Sequence, residues 1–385
     1  MSSIVEYPTD LSGPCHHIYP VEGSEKLLVI FGAKDLHENR FNFLSPAREL
    51  GENLIVLNNG SNQWYQFGVP GLGDTFLETV NCLQRWRDSL GAKQVYAIGT
   101  SMGGYAAVQY GSALNAATLA FSTDAKLGAR HSRSTIYYTG KDEPSCPDLG
   151  SLIAAEEPNV TLVIGERDIV DIHAADQLNG TGEIATLSLL GCGHHVPSFL
   201  SRRARLGPML RAFVADRDIT VQKDAGRALA VEGYADTAFA AHCAFEEADW
   251  GEAEVRARDA LMLYPGGEAA EIILGQSLVK QNRYAEAMDV LARTVAGQPE
   301  DADLMTLLAT AMRKMGAGTR AKQVYLKVIE LQPNFAKAHY GLGLAYLGEG
   351  YLPAAVQSFV LASRTAPRNR TYRDRLVQTR RKLQV

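Results

Sequence analysis

Four prolines, Pro265, Pro299, Pro333 and Pro367, stand 34 residues apart. Twelve residues before each is an alanine: Ala253, Ala287, Ala321 and Ala355. Twenty-four before each is a small residue (Ala241, Gly275, Ala309, Gly343), and eight before each is a side chain of varying bulk (Ala257, Leu291, Tyr325, Phe359). A fixed period of this length marks a stacked repeat. Two antiparallel helices approach closely only where small side chains face each other, and a proline stops the second helix before the next unit starts. Four such units span residues 234–367. The last unit of a stack has an apolar face with no neighbour and needs a cover. The tail 368–385, with Leu376 and Leu383 among arginines, is expected to be that capping helix, and its run Arg380-Arg381-Lys382 reads as a solvated face.

This period, with its small and large positions, resembles the tetratricopeptide repeat (TPR). The resemblance implies an all-α solenoid whose groove takes a protein or peptide partner, or serves self-association. Gln276, Arg313, Lys314 and Tyr340 fall at exposed inner positions by the repeat register. The first unit is the least regular, with Thr237 and Ala240 where larger side chains are usual.

Residues 1–216 read differently. Continuous apolar runs occur at 27–31, 53–57, 95–98, 117–121, 160–164 and 184–190, with helix-compatible stretches between several of them. Strands apolar on both faces alternating with helices predict a mostly parallel sheet covered on both sides, an α/β fold. The polar stretch 122–150 is expected to be a lid or insertion over the strand ends. Residues 217–233 are expected to be a connecting helix or linker.

One segment carries a chemical signal. The run Val95–Ile98 enters Gly99-Thr100-Ser101-Met102-Gly103-Gly104, and a helical stretch follows. Gly-x-Ser-x-Gly between strand and helix places the serine hydroxyl on a sharp, strained turn. Its neighbours two residues away on each side must be small, because strand and helix pass close by. A nucleophilic serine needs a base, and the base an orienting acid. Strand 160–164 runs into Gly165-Glu166-Arg167-Asp168, and strand 184–190 into Gly191-Cys192-Gly193-His194-His195. Asp168 is the favoured acid; Asp171 is its rival, and Glu166 would point to the opposite face. An acid at Asp168 also suits a helix N-cap.

Serine, acid and histidine in this order at strand ends resemble the α/β-hydrolase superfamily over about residues 15–216. The resemblance implies Ser101 as nucleophile, Asp168 as acid and His194 as base, with His195 the second choice because Gly-x-Gly-His is the usual form. It also implies an oxyanion hole built from the amides of Met102 and Ala33, although Phe31-Gly32 stands where many members carry His-Gly. Lys34 places a cation near that loop, or is solvated. Trp64 and Tyr65 are expected either to line a pocket or to be buried. His16-His17 lack an acidic partner nearby, which disfavours a metal site. No cofactor and no metal are expected.

The expected function is a carboxylic-ester hydrolase acting on a small-molecule or glycan ester through an acyl-enzyme. The Ser-Met-Gly-Gly turn and the Trp-Tyr segment are also similar to hydrolase-like proteins of bacterial glycan modification, so acyl transfer or deacylation of a glycan is the alternative. A TPR interaction protein with an inert hydrolase platform is the other. A net charge of −5 disfavours general nucleic-acid or membrane binding. The absence of a long apolar run predicts no membrane span. Five scattered cysteines without Cys-x-x-Cys read as reduced thiols of a cytoplasmic protein.

Overall fold

The apolar runs all become strands of one sheet. The computed structural model describes residues 8–182, 184–219, 225–297 and 300–383. Its strands are β1 (Ser12–Gly13), β2 (His16–Tyr19), β3 (Lys26–Phe31), β4 (Asn53–Leu57), β5 (Gln94–Thr100), β6 (Ala117–Phe121), β7 (Val160–Gly165) and β8 (Ala185–Leu189). Their order is β1-β2-β4-β3-β5-β6-β7-β8. β1–β2 and β2–β4 pair antiparallel at one edge, and the pairings from β4–β3 onward are parallel. From β3 the chain steps to β4 on one side and crosses back to β5 on the other. The carboxyl ends of β3 and β5 therefore flank the point where strand order reverses, and diverging loops leave a crevice there.

Helices α1 (Leu44–Arg48), α2 (Phe76–Ser89), α3 (Met102–Ala113), α4 (Arg133–Tyr137), α5 (Leu149–Glu156), α6 (Ile169–Asn179), α7 (Val196–Arg202) and α8 (Leu206–Val214) surround the sheet. Leu28 and Ile30 pack in one cluster with Met209 and Phe213 of α8. Phe31, on the alternate face, lies against Tyr65 and Tyr110 of α3. Both faces are covered, which is why the strands read as unbroken apolar runs.

Contacts divide the chain into two compact units, Met1–Phe239 and Ala240–Val385. The first unit runs beyond residue 216. Ala225 bridges Leu189, the Gly226 amide donates to the Ser188 carbonyl at 2.8 Å, and the Ala228 amide donates to the buried Glu166 carboxylate at 2.6 Å. The His173 ring stacks on Phe239 at 3.8 Å, 4° from parallel. Glu166, weighed as a triad acid, is thus a structural acceptor at the sheet edge.

The helices that follow are α9 (Tyr234–Glu246), α10 (Trp250–Leu263), α11 (Glu268–Lys280), α12 (Tyr284–Gly297), α13 (Ala302–Lys314), α14 (Gly318–Leu331), α15 (Ala336–Gly348), α16 (Leu352–Thr365) and α17 (Arg370–Leu383). From α10 onward each packs on the next. The small and large positions of the 34-residue period are all buried. A Cβ on Gly275 would lie 2.5 Å from Leu291, and one on Gly343 would lie 2.6 Å from Phe359, so the glycines are needed where bulk arrives from the paired helix. Pro265, Pro333 and Pro367 each stand just past a helix end. Pro299 lies outside the described residues. Tyr340, expected at an open groove position, instead stacks on Tyr372 of α17 at 4.6 Å and helps seat that helix. No described helix is long and apolar enough to cross a membrane.

Helix α3 approaches the end of β3 backbone to backbone at Gly103, where an added Cβ would lie 2.2 Å from the Phe31 carbonyl oxygen. Backbone cannot yield as a flexible side chain does. Gly103→Ala is expected to destabilise the first unit by about 1–3 kcal/mol, seen in calorimetry as a lower melting temperature for one transition.

Candidate active site

β5 ends at Thr100 and α3 begins at Met102, so a single residue, Ser101, turns the chain. Its φ of 56° and ψ of −121° are costly for a residue with a Cβ, about 1–3 kcal/mol. Neighbouring structure over-determines them. The Ser101 amide donates to the Phe121 carbonyl at 2.8 Å, and its carbonyl accepts from the Tyr105 amide at 3.1 Å. A Cβ on Gly99 would sit 1.9 Å from the Gly103 oxygen. Both glycines of the motif are required by the space.

The histidine arrives through a second close approach. At the end of β7, a Cβ on Gly165 would lie 2.3 Å from the Cys192 oxygen, and the Arg167 amide donates to that same oxygen at 2.9 Å. The loops after β7 and β8 are thereby stitched together. His194 is placed with Nε2 3.0 Å from Ser101 Oγ. Its Nδ1 is 3.0 Å from both carboxylate oxygens of Asp171. His195 stands at the residue before α7 and makes no side-chain capping bond, with its ring 5.5 Å from that of His194.

The carboxylate that meets His194 therefore belongs to Asp171, where Asp168 was expected. Asp168 is the N-cap of α6 and accepts from the Asp171 amide at 3.2 Å. One helical turn is needed to carry a carboxylate from the strand end to beneath the imidazole. Asp171, nearly fully buried in the first turn of α6, is the residue so carried. Burial alone would raise its pKa, but His194 and Arg133 outweigh burial and hold the carboxyl below the usual range. His195 is pushed the other way from a charged form: burial, then His194 and Arg133, lower its pKa.

Arg133 was not legible in the sequence. It opens α4, inside the segment expected to be a lid. Its Nε lies 2.9 Å from His194 Nδ1. Its Nη2 donates to Asp168 and, at 3.3 Å, to Asp171. Burial works against the guanidinium charge, and Asp171, Asp168 and Asp124 more than restore it. Asp124, whose own pKa burial raises, accepts from the Ser134 amide at 2.8 Å and so anchors α4. Asp168, Asp171 and His194 offer donor atoms within 4.8 Å of one another. The cation among them is Arg133, and its charge opposes a metal ion at the same place.

The oxyanion loop also differs from expectation. The Ala33 amide is engaged, donating to Asn42 Oδ1 at 2.7 Å. The Met102 amide, at the first position of α3, has no partner among the described residues. The Asn42 amino group has no partner among the described residues either. Ala33, Asn42, Ser101, His194 and His195 line one cavity of about 680 Å³. Its walls include apolar Leu36, Phe43, Pro46 and Leu206, and polar Lys34, Ser198, Ser201 and Arg202. Lys34 pairs with Asp35 and lies 3.8 Å over the ring of Tyr137 in α4. Trp64 and Tyr65 do not line this cavity. Both are buried, and the Tyr65 hydroxyl donates to the Gly32 carbonyl at 3.1 Å, bracing the loop after β3. His16 is buried with Nε2 3.1 Å from the Asp10 carbonyl.

Comparison with known proteins bears on the helical part. Residues 244–311 match the tetratricopeptide repeat family and residues 311–350 a TPR repeat family. This region carries TPR repeats. The uncharacterized protein y4yS of Sinorhizobium fredii is 31% identical over 100 residues, 26% of this chain and 55% of that protein. The chain thus spans about half the length of this curated relative. Among solved structures, YrrB, titled a TPR protein with an unusual peptide-binding site, is 22% identical, covering 37% of this chain and 74% of that one with a TM-score of 0.31. MamA is 17% identical, covering 38% and 80% with a TM-score of 0.34.

The depressed Asp171 carboxyl makes a pH prediction. Its folded pKa is below that of the unfolded chain, near 3.9, so its contribution is complete above about pH 4 and fades as pH falls through the folded value. Asp171→Asn is expected to lower stability at pH 7 by about 1–3 kcal/mol. The gap to the native chain should shrink below about pH 4. Thermal melts of both chains at neutral and acid pH measure it, and a gap that widens in acid refutes it.

Proposed function

We propose that this protein is a serine hydrolase of the α/β-hydrolase type that cleaves a carboxylic ester, joined to a TPR module that engages a protein or peptide. The observation that carries the reading is the continuous chain Ser101 Oγ, His194, Asp171, with 3.0 Å at each link, on a strained turn facing a cavity. Strand order and the reversal at β3 add to it, because they resemble that superfamily. Ser101 Oγ attacks the acyl carbonyl while His194 Nε2 takes its proton, and Asp171 stabilises the imidazolium. The tetrahedral oxyanion is met by the Met102 amide and by one donor from the Ala33–Asn42 pair. The intermediate collapses, His194 protonates the departing alcohol, and water then releases the acid from the acyl-enzyme. An alcohol entering in place of water gives acyl transfer. A cavity of about 680 Å³ with one apolar wall suits a small acyl ester or an acylated sugar.

A second reading rests on a different observation. The Ala33 amide is already occupied by Asn42. An inert hydrolase platform would tolerate that, leaving the TPR array as the working part. Stacked helical repeats offer an extended concave surface suited to a peptide or to self-association. All five cysteines are free, which fits a reducing compartment such as the cytoplasm.

Labelling with a fluorophosphonate probe separates the two readings. The native chain is expected to be modified and Ser101→Ala not, with kcat/KM on a short activated ester falling at least about 10³-fold. An unmodified native chain favours the platform. Asn42→Ala tests the oxyanion donor by sign. If the Asn42 amino group stabilises the oxyanion, kcat/KM falls about 10²-fold; a rise instead assigns the role to a freed Ala33 amide.

A further inference from the structure

His194 Nδ1 is asked for opposite things by its two neighbours. Asp171 offers two acceptor oxygens at 3.0 Å and wants a hydrogen on that nitrogen. Arg133 Nε, 2.9 Å away, always carries a hydrogen and wants a lone pair there. One nitrogen cannot satisfy both. With the hydrogen on Nδ1, the Nε–H of the half-buried Arg133 faces another N–H, and a donor aimed at the ring is left unsatisfied. With the hydrogen on Nε2, Nδ1 accepts from Arg133 Nε–H. The carboxylates then keep a charged partner, because Arg133 Nη2 donates to both Asp168 and Asp171. The same arrangement turns the Nε2 hydrogen toward Ser101 Oγ, so the imidazole cannot take the serine proton.

We propose that Arg133 is a positioning residue that sets the tautomer of His194. With α4 docked, the hydrogen sits on Nε2 and Ser101 is held inactive. Withdrawal of the guanidinium lets Nδ1–H pair with Asp171 and activates the serine. The inference deepens the hydrolase reading and rests on it for the roles of Ser101 and His194. α4 is a short helix, held besides Arg133 by contacts that include the Asp124–Ser134 bond, the Gly128 amide donating to Ser134 Oγ at 3.0 Å, Lys34 over Tyr137, and the Thr139 amide donating to the Asn62 carbonyl at 2.9 Å. Lys34 also lines the cavity, so an occupant of the cavity meets one of the groups that hold α4.

The test is nitrogen NMR of the full chain labelled with ¹⁵N-histidine, the His194 signals being assigned by their loss in His194→Gln. In the native chain Nδ1 is expected to be the unprotonated nitrogen. In Arg133→Met, and in Arg133→Lys, which keeps the charge but lacks the Nε–H, the hydrogen is expected on Nδ1. Signals of the other histidines report whether each variant is folded. Fluorophosphonate labelling of Ser101 is expected to speed up about tenfold in Arg133→Met, as the competent fraction rises. A native chain already protonated on Nδ1 overturns the proposal, and so does slower labelling in a folded variant. A tautomer that switches without labelling in any form sustains the role of Arg133 and removes the hydrolase reading. Labelling without a switch does the reverse.

Discussion

The first unit depends on a contact between bare backbones. At the start of α3 the chain passes so near the end of β3 that only a hydrogen fits on Gly103, against the Phe31 oxygen. That approach presses the helix N-terminus into the crevice of the sheet and forces Ser101 into its uncommon dihedrals. A parallel approach at Gly165 and Cys192 ties the loops bearing Asp171 and His194. The site is therefore assembled by main chain, and its side chains occupy positions that the backbone has already set.

The elements were legible in the sequence because their signals are local. Strands buried on both faces show as apolar runs, and stacked helices show as a period. The turn at Ser101 and the loop bearing His194 were legible because their glycines leave a spatial mark in the sequence. The carboxylate beside His194 was not: Asp168 and Asp171 lie one helical turn apart, and only the helix's start decides which points inward. Arg133 comes from a polar stretch with no period, brought to the site by tertiary packing alone. That the Ala33 amide has a partner was not legible for a similar reason, since Asn42 lies nine positions on in an irregular loop.

Around His194 the charges form a closed group. Two carboxylates face one guanidinium and one imidazole, and Asp171 is almost wholly out of water. Breaking one partner out of such a group leaves an uncompensated charge, which is the costly case for buried ions. The group thus joins α6, the loop after β8 and the inserted α4 through electrostatics.

The helical array has a gradient along its length. The residue eight before each repeat proline grows from Ala257 to Leu291, then to Tyr325 and Phe359, and the larger ones fill the space left by facing glycines. In a stack whose stability is a sum of unit and neighbour terms, unequal units melt in sequence. The side chains that meet between helices thus grow along the array, from the alanine-lined first repeat to Phe359 and the stacked Tyr340–Tyr372 pair, so the apolar surface buried between paired helices is laid down unevenly from one end to the other.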